Sequence, residues 1–275
     1  MIVSSISRLT LRPTSISYGQ NCQISIYRKY EKFLEKKYPK IYRVHRLVVD
    51  GCRDCVMDVR TLYRLNKDLK YGKRGLSEMN TKELMCLLQC PPELMRILVI
   101  LVLLQFPIIG EGLIISAIFF PRFVLTRHFW TSHQKEEFWQ KTYDYTFRPR
   151  IKRLQEFTEK ENFSLESPVK LVDLSVPHLL TLCRLHRSWP LYGCKGLEQR
   201  ASVMKQLDHV ILEDLEEMDE TELRNQMFLR RLDFHLKSEE EMKDSIRNWV
   251  KNSKKLGSNP GALLHLPAIL AQREE

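Results

Sequence analysis

Glycine and proline are scarce in this sequence, with 10 and 12 positions among 275 residues. A β-sandwich with many loops, or a nucleotide-binding fold with a glycine-rich loop, needs more of both residues. No stretch alternates apolar and polar residues between turn residues, as a half-buried strand would. Hydrophobic residues make up 43% of the chain and charged residues 28%, which is typical of a folded protein. The composition therefore favours an all-helical fold.

The sequence also lacks a recognisable set of catalytic or metal-binding residues. Its seven cysteines are odd in number and irregularly spaced, which argues against a secreted disulfide scaffold. Cys52 and Cys55 have the spacing of zinc and redox sites, but no second pair follows and no strand precedes them. His178, Cys183 and His186 share one helical stretch without a nearby acid, so we interpret them as structural. We expect no enzymatic activity, no metal and no cofactor.

Acidic residues are absent from the first 30 positions, whereas serine and arginine are frequent there. Ile2, Ile6 and Leu9 can share one helical face, with Arg8 and Arg12 away from it. An acid-free, amphipathic start that is rich in arginine and serine is typical of a mitochondrial transit peptide. We therefore predict a mitochondrial targeting segment at residues 1–27; a disordered terminus without a targeting role is the alternative.

One long apolar run occupies the middle of the chain. From Ile97 to Phe120 the run contains a single charged side chain, Glu111, and it is flanked by Arg96 and Arg122. As one helix it would measure about 36 Å, which exceeds the hydrocarbon core of about 30 Å. A core helix of this length in a soluble protein would carry a polar stripe, and this run has none. We predict a membrane-spanning segment at residues 94–120.

The centre of this apolar run is unusual. Pro107 lacks a backbone N–H and is expected to kink the helix just before it. Gly110 and Gly112 flank Glu111, whose carboxyl group is costly at mid-bilayer and is therefore a functional hypothesis. This acid would face a partner helix or a water-filled path in a homo-oligomer, or it would stay protonated without a role. A kinked single crossing is the favoured interpretation, and a re-entrant hairpin that turns at these residues is the alternative.

Positive charge is concentrated before the apolar run. Residues 28–74 hold 15 basic and 6 acidic side chains, whereas residues 145–275 hold 21 of each. A basic helical segment at residues 28–93 would be attracted to anionic lipid, such as cardiolipin, or to nucleic acid. The neighbouring membrane segment favours lipid, no DNA partner is expected, and a solvated helix face is the alternative. The predicted lipid-facing residues are Lys36, Lys37, Lys40, Arg43 and Arg46.

Helix start signals recur after the apolar run. Thr131 with Gln134, and Ser238 with Glu241, have the spacing of capping boxes. Asn259 precedes a proline, which is favoured at the first position of a helix. Apolar residues at helical spacing follow each of these signals. We predict a helical-bundle domain at residues 121–275.

Four stretches of the second half carry a family resemblance. Residues 120–131 (Phe-Pro-Arg-Phe-Val-Leu-Thr-Arg-His-Phe-Trp-Thr) are similar to the post-membrane motif of the LETM family, the leucine-zipper/EF-hand-containing transmembrane proteins. Residues 179–184 resemble the L-x-x-L-C-R helix of that family. Residues 222–250 resemble its E-L-x-x-A-C-x-x-R-G and L-x-x-W-L pair, and residues 263–265 its last helix. The similarity is greatest to the short LETM-domain members of animal mitochondria.

The resemblance implies an inner-membrane protein with one span, followed by a matrix-facing ribosome-binding domain of 14-3-3-like helical fold. Family members are linked to mitochondrial ribosomes and respiratory-chain biogenesis, and the long members to cation/proton exchange. Two features depart from the family. The sequence has no Asp-x-Asp-x-Asp-Gly calcium loop. The acidic position of the family, three residues after its proline, is Gly110 here, and Glu111 stands one residue later.

A basic partner-binding surface is predicted on the neutral second half, because ribosomal RNA favours positive charge. The alternative is that these cations are solvated helix ends. We predict an adaptor anchored in the mitochondrial inner membrane that binds mitochondrial ribosomes, through RNA or protein, and supports mitochondrial structure and respiratory-chain biogenesis. The alternative is a cation/proton exchanger, or its subunit, that uses Glu111. The predicted partner-binding residues are Arg230, Arg231, Lys251, Lys254 and Lys255.

Overall fold

The structure is a computed structural model, and it describes residues 29–160, 169–257 and 259–274. Every regular element within these ranges is helical, so the predicted all-helical class is confirmed. The chain divides into two compact units, Met1–Asp50 and Gly51–Glu275. The predicted targeting segment at residues 1–27 lies outside the described residues.

Short turns join successive helices throughout the described chain. A π-helical segment, Tyr143–Phe147, connects two of these helices without a break. In chain order the helices are α1 (residues 29–37), α2 (Pro39–Lys70), α3 (Thr81–Leu103), α4 (Pro107–Phe119), α5 (Pro121–Val124), α6 (Ser132–Thr142), α7 (Arg148–Lys160), α8 (Val176–Leu185), α9 (Gly193–Asp214), α10 (Glu220–Arg230), α11 (Glu239–Lys255) and α12 (Pro260–Glu274).

In the first unit, α1 folds against the beginning of α2. The Glu31 carboxylate accepts a hydrogen bond from Arg46 Nη1 at 3.1 Å, and the Tyr30 ring meets the His45 ring edge to face. Leu34 of α1 is buried. Within the described residues of this unit, α1 and the beginning of α2 are therefore joined by these side-chain contacts.

In the second unit, the predicted helix starts are confirmed where capping residues stand. Thr131 and Gln134 form a capping box ahead of α6, and Ser238 and Glu241 form one ahead of α11. Each box supplies side-chain partners to backbone N–H groups that have none within the helix. The helix α12 begins at Pro260, as the Asn-Pro pattern predicts. These starts are set by local residues.

The helix α3 continues through two adjacent prolines, Pro91 and Pro92, although neither can donate a backbone hydrogen bond. The carbonyl of Leu88 is freed as a result, because its helical partner would be the N–H of residue 92. Arg200 of α9 donates from Nη1 to this carbonyl at 2.8 Å. A side chain from a neighbouring helix thus replaces the missing backbone donor.

The helix α9 lies at the centre of the second unit and contacts α3, α8, α11 and α12. Leu197, Leu207 and Ile211 line its buried face. Trp249 of α11 is 1% exposed and belongs to the same core. Burying one leucine or isoleucine side chain stabilises a fold by about 1.5–3 kcal/mol, so the apolar face of α9 contributes strongly to the bundle.

One helix in the described part of the chain, α3, is long and apolar enough to cross a membrane by length and composition. A helical domain follows it, as predicted. Its position differs from the predicted span at 94–120, because α3 begins at Thr81 and buries Leu84 and Leu88 in the bundle. The remainder of the apolar run forms a separate helix, α4. Apolar composition alone does not distinguish a core-facing half from an exposed half of the same helix.

Candidate functional site

The apolar run folds back on itself as a helical hairpin of α3 and α4. The first arm ends at Leu103, and Phe106 has an extended backbone that precedes Pro107, so the predicted break before the proline is confirmed. A continuous helix would hold the two ends of the run about 36 Å apart. Instead, Arg96 Nη1 lies 3.5 Å from the Arg122 carbonyl oxygen. The backbone of the apolar run therefore follows the path of the hairpin alternative, and the membrane-spanning role of residues 94–120 stays a prediction.

The hairpin exposes apolar side chains on both of its arms. Soluble proteins rarely leave so much contiguous apolar surface without a partner, and such surface marks a membrane or protein contact. Side chains that are 47–87% exposed along the hairpin and its turn are Leu98, Val99, Leu101, Val102, Phe106, Ile108, Ile109, Ile114, Ile115 and Phe119.

The three residues predicted at the centre of the run lie just after the hairpin turn. Gly110 is buried, and a Cβ at this position would come within 3.1 Å of the Leu104 carbonyl oxygen, so glycine allows the turn to approach closely. Glu111 is exposed, and no hydrogen bond or ion pair joins it to the described residues. Pro107 is the first residue of α4. The intramembrane role of this acid stays a prediction.

The Arg-His motif that follows the hairpin fastens its base to α2 and α3. Arg127 contacts the carboxylate of Asp58 through Nη2 and that of Glu93 through Nη1, the latter at 3.1 Å. His128 Nε2 lies 3.0 Å from the same oxygen of Asp58, and Thr126 lies 3.2 Å from its Nδ1. Two carboxylates from two helices therefore fix the position of this motif.

Asp58 is ionised in this network. Burial by itself would raise the pKa of Asp58, but the hydrogen bond with His128 and the charge of Arg127 hold that pKa below its usual value. Sequence reasoning missed Asp58 and Glu93 because their partners lie far along the chain, where no periodic pattern connects them. The motif residues themselves were identified through the family resemblance.

Arg230 and Arg231 do not form the predicted partner-binding surface, because both are 1% exposed. Arg230 donates from Nε and Nη2 to one oxygen of Asp208, at 3.1 and 2.7 Å, and from Nη1 to the Gln226 side chain at 2.7 Å. The second oxygen of Asp208 accepts from Trp249 Nε1 at 2.9 Å. The helix α10 packs against α11 and α6, and its last residue, Arg230, reaches Asp208 of α9.

Arg231 is buried in a different way. It terminates α10 in the left-handed conformation, with a φ of 63°. Its guanidinium donates to the carbonyls of Leu185 and Phe228 and lies 4.2 Å from the centre of the Phe147 ring. The family pattern given above has glycine at this position, and that conformation favours glycine. The sequence therefore contained a signal that α10 ends at this position.

The remaining cations of the predicted surfaces are exposed. Lys251, Lys254 and Lys255 lie at the end of α11. Lys36, Lys37, Lys40, Arg43 and Arg46 are exposed in the first unit, although Arg46 pairs with Glu31 and Asp50. Both surfaces stay predictions. In the first unit, an exposed apolar stripe also runs along α2 at helical spacing, and it consists of Ile41, Val44 and Val48.

The histidines interpreted as structural are buried among hydrogen-bond partners. His178 Nε2 lies 2.8 Å from His265 Nε2, and His186 Nε2 lies 2.8 Å from the Leu264 carbonyl oxygen. Burial lowers the pKa of His265 to about 4 and that of His186 well below its usual value. Within the described ranges, no cluster of three or more His, Cys, Asp or Glu side chains could hold a metal ion.

The second unit matches a protein-family model described as "LETM1-like, RBD", in two stretches that cover residues 79–167 and 158–270. Because the match covers more than half of the chain, the chain belongs to the LETM1-like family, and the predicted family is confirmed. The curated protein "LETM1 domain-containing protein 1" of Xenopus tropicalis is 27% identical over 110 residues, which are 40% of this chain and 31% of that protein. The matched part therefore spans less than a third of that relative. No solved structure shows a significant match to this chain.

Proposed function

We propose that this chain is a mitochondrial inner-membrane adaptor, whose hairpin inserts into the membrane and whose helical domain binds the mitochondrial ribosome. The observation that carries the proposal is the position of the exposed apolar hairpin within the LETM1-like domain itself. A membrane-bound domain of this kind would hold ribosomes beside the membrane that receives their products. Support of respiratory-chain biogenesis and of mitochondrial structure would follow from that placement.

The dimensions of the hairpin support insertion from one face of the membrane. The exposed arm of α3 from Ile97 to Leu103 is about 10 Å long, and α4 is about 20 Å long, at about 1.5 Å per residue. Both lengths are below the hydrocarbon core of about 30 Å. The first half of α3 is committed to the bundle by Leu84 and Leu88. We place the domain on the matrix side, with the hairpin turn inside the bilayer.

The basic first unit fits a second, peripheral membrane contact. Exposed cations stand beside the exposed stripe of Ile41, Val44 and Val48 on α2. A helix with apolar residues on one face and cations around them lies at the surface of an anionic bilayer. Each cation near such a surface contributes about 1 kcal/mol, and salt weakens the contribution. Cardiolipin is the anionic lipid that we propose for this contact.

Ribosome binding is assigned to the exposed end of α11. Lys251, Lys254 and Lys255 are cations on the last turns of one helix. Ribosomal RNA and acidic protein surfaces both attract such a cluster. Arg230 and Arg231 are no longer part of this surface, because both are buried.

A flotation experiment tests the adaptor function with the full chain. The protein is reconstituted into vesicles that contain cardiolipin, mixed with mitochondrial ribosomes and floated in a density gradient. We expect ribosomes to float with the protein. Replacing Lys251, Lys254 and Lys255 together by Gln should reduce the floated ribosomes by about tenfold, because three contacts to phosphate are lost. Glutamine avoids the repulsion that an acid would meet at the end of a helix.

The matched control is a second triple replacement by Gln at Lys152, Lys160 and Lys170, which are exposed elsewhere on the same unit. It removes the same charge and should leave ribosome flotation unchanged. Equal losses in the two triple variants would show that net charge, not the end of α11, attracts the ribosome. Absence of ribosomes from the vesicle fraction of the unchanged protein would contradict the adaptor function.

The second candidate function is a cation/proton exchanger or its subunit. One observation favours it, which is the exposure of Glu111 among apolar side chains of the hairpin. A lone acid on one hairpin would need further copies of the chain to enclose a path for ions. In addition, the position at which the family carries its acid is Gly110 in this chain. The adaptor therefore remains the preferred function.

A further inference from the structure

Arginines line a partly open cavity at the base of the hairpin, between α3, the segment after α5, α9 and α10. The cavity has a volume of about 240 Å³, and Glu93 is the carboxylate in its wall. We call it the arginine cavity. An excess of partly buried cations over acids is unusual, because charges that are shielded from water are normally paired. The arginines in its wall are Arg96, Arg122, Arg127, Arg187, Arg200 and Arg231.

Several of these guanidinium groups have donors without an acceptor among the described residues. Arg231 is 1% exposed and its Nη2 has no hydrogen-bond partner, nor has Nε of Arg200 or Nη1 of Arg122. Arg187 is half-buried, and no hydrogen bond or ion pair joins it to the described part of the chain. Glu93 is engaged by Arg127 at 3.1 Å. The described residues therefore leave the buried guanidinium of Arg231, and several partly buried ones, incompletely satisfied.

Burial and clustering of these guanidinium groups disfavour their charged forms, and they therefore lower the pKa values of the arginines. Burial, followed by the charges of neighbouring arginines, lowers the pKa of Arg187 to about 10 and that of Arg200 to about 9. The same causes lower the pKa of Arg231 well below its usual value. Arginine is otherwise protonated under all ordinary conditions. A bound anion would reverse each of these effects.

Two cavity arginines also have an unfavourable backbone. Arg187 has a φ of 54° and Arg231 a φ of 63°, both in the left-handed region that favours glycine. Strain of this kind persists where the surrounding structure fixes it, and it is frequent at ligand sites. Arg187 and Arg231 therefore each combine shielding from solvent, donors without acceptors and a strained backbone.

A larger apolar cleft of about 950 Å³ opens beside the arginine cavity. Arg187, Arg200, Arg96 and Phe123 line both spaces. From this shared wall the cleft extends to side chains of both hairpin arms, and none of the described residues that line it is acidic. A polar anion site thus adjoins an apolar space that leads to the proposed membrane-inserted surface.

We infer that the arginine cavity and the apolar cleft together bind one anionic phospholipid. The phosphate group would lie among Arg187, Arg200 and Arg231, and an acyl chain would follow the cleft towards the hairpin. Arginine pairs well with phosphate oxygens because its planar donors match their geometry. This site is separate from the cationic surface of the first unit. It rests on the membrane attachment proposed above, but its test needs neither a bilayer nor a ribosome.

The test uses the full chain in a non-ionic detergent with short-chain lipids. Dihexanoyl phosphatidylglycerol is titrated in parallel with dihexanoyl phosphatidylcholine, whose headgroup is zwitterionic, and with inorganic phosphate. Calorimetric titration gives Kd, and thermal unfolding gives Tm. We expect the anionic lipid to bind and to raise Tm, the zwitterionic lipid to bind at least about tenfold more weakly, and phosphate alone to bind weakest.

Substitutions then locate the site. Arg187→Met should weaken binding of the anionic lipid by about tenfold or more, whereas Arg187→Lys should retain part of the affinity. The matched control is Arg153→Met, an exposed arginine of α7 outside both spaces, which should bind like the unchanged protein. Without lipid, Arg187→Met should have an equal or higher Tm, because an uncompensated charge is removed.

Four results would overturn the inference. Equal affinity for the two lipids would remove the role of the cations, and equal affinity for phosphate and the anionic lipid would remove the role of the cleft. Unchanged lipid binding in Arg187→Met would place the lipid elsewhere. A lower Tm of that variant without lipid would show that the protein itself satisfies the guanidinium. Failure of ribosome flotation would affect none of these readouts.

Discussion

Two regions of the second unit bury polar side chains in opposite ways. In the interior of the bundle, Arg230 shares its charge with Asp208, and the second carboxylate oxygen accepts from Trp249. At the base of the hairpin, the neighbouring Arg231 and the half-buried Arg187 face a cavity that contains more cations than acids. One peptide bond separates Arg230 from Arg231, so the difference lies in the partners and not in the residue type.

The comparison shows what each kind of burial does for the protein. A fully paired network costs desolvation but fixes the packing of helices, so its value lies in the definition of one structure. An unpaired buried cation lowers stability, and groups perturbed in this way are frequent at binding sites, where a ligand or partner supplies the missing charge. The bundle interior therefore serves the fold, and the base of the hairpin serves binding.

The largest effect on stability is expected when the network of Asp208, Arg230 and Trp249 in the bundle interior is broken. Asp208→Ala leaves the buried Arg230 without its counter-charge and Trp249 Nε1 without its acceptor, and we expect a loss of about 3–5 kcal/mol in the free energy of unfolding. Denaturant unfolding of the full chain in detergent, followed by the fluorescence of its tryptophans, measures this loss. Glu213→Ala, an exposed acid on the same helix, is the control and should stay within about 0.5 kcal/mol.

Removing both charges together sharpens the comparison. The double variant Asp208→Leu/Arg230→Met leaves no uncompensated ion in the core, so it should lose less stability than Asp208→Ala alone. Its remaining cost comes from the unpaired donor of Trp249 and the unpaired side-chain oxygen of Gln226, at about 1 kcal/mol each. If the double variant is less stable than Asp208→Ala, the ion pair contributes more stability than the cost of leaving one of its charges unpaired.

The contrast between the two arginines also shows what sequence reasoning can and cannot provide. Helix starts at Thr131 and Ser238 were predicted correctly because a capping box is a pattern of adjacent residues. The break at Pro107 was predicted for the same reason. The fold of the apolar run was not, because a crossing and a hairpin have the same composition. Arg230 and Arg231 were wrongly predicted as a surface, because Asp208 gives Arg230 a buried partner and the carbonyls of Leu185 and Phe228 hold Arg231 in the interior.

The assembly of the arginine cavity had no signature in the sequence. Arg96, Arg187 and Arg200 come from three separate segments, and only the packing of α3, α8 and α9 brings them to one cavity. Their neighbours in the sequence show no periodic or motif pattern. The left-handed conformation at Arg187 is equally invisible, because arginine gives no indication of a positive φ. Sites that depend on tertiary contacts between distant residues are therefore the part that sequence reasoning missed.

An intermediate effect on stability is expected from protonation of the buried histidines, which have hydrogen-bond partners in the bundle interior. His265 has a pKa of about 4 in the fold and a pKa near 6.5 when unfolded. Between these values the unfolded chain binds a proton that the folded chain excludes, so stability falls as pH falls below about 6.5. Each such histidine contributes about 1.4 kcal/mol per pH unit in this window. His186 acts in the same direction.

Unfolding measured between pH 7.5 and 5 tests this dependence. His265→Asn retains a donor for the Gly261 carbonyl, which the imidazole contacts at 2.7 Å, but it cannot titrate. The variant should be less stable at pH 7.5 and should show a shallower loss of stability on acidification. His235→Asn, on an exposed turn, should keep the steep profile. Identical pH profiles for the His265 variant and the unchanged protein would show that other groups control acid stability.

The smallest effect on the fold is expected at Glu111, on the hairpin itself. Its carboxylate is exposed and contacts no polar group of the described chain, so Glu111→Gln should change the stability in detergent by less than about 0.5 kcal/mol. In vesicles, loss of an ionisable group from the apolar surface should leave membrane attachment equal or stronger. Ribosome flotation should be unchanged.

An exchanger would instead lose proton-coupled cation flux in Glu111→Gln, since this change removes the titratable group from the apolar hairpin. Glu111→Asp would retain the flux. Collapse of flux in Glu111→Gln vesicles with normal protein content and normal ribosome flotation would make the hairpin a transport element. We expect no such collapse, because the exposed acid faces no second charged group of the hairpin and Gly110 occupies the position at which the family carries its acid.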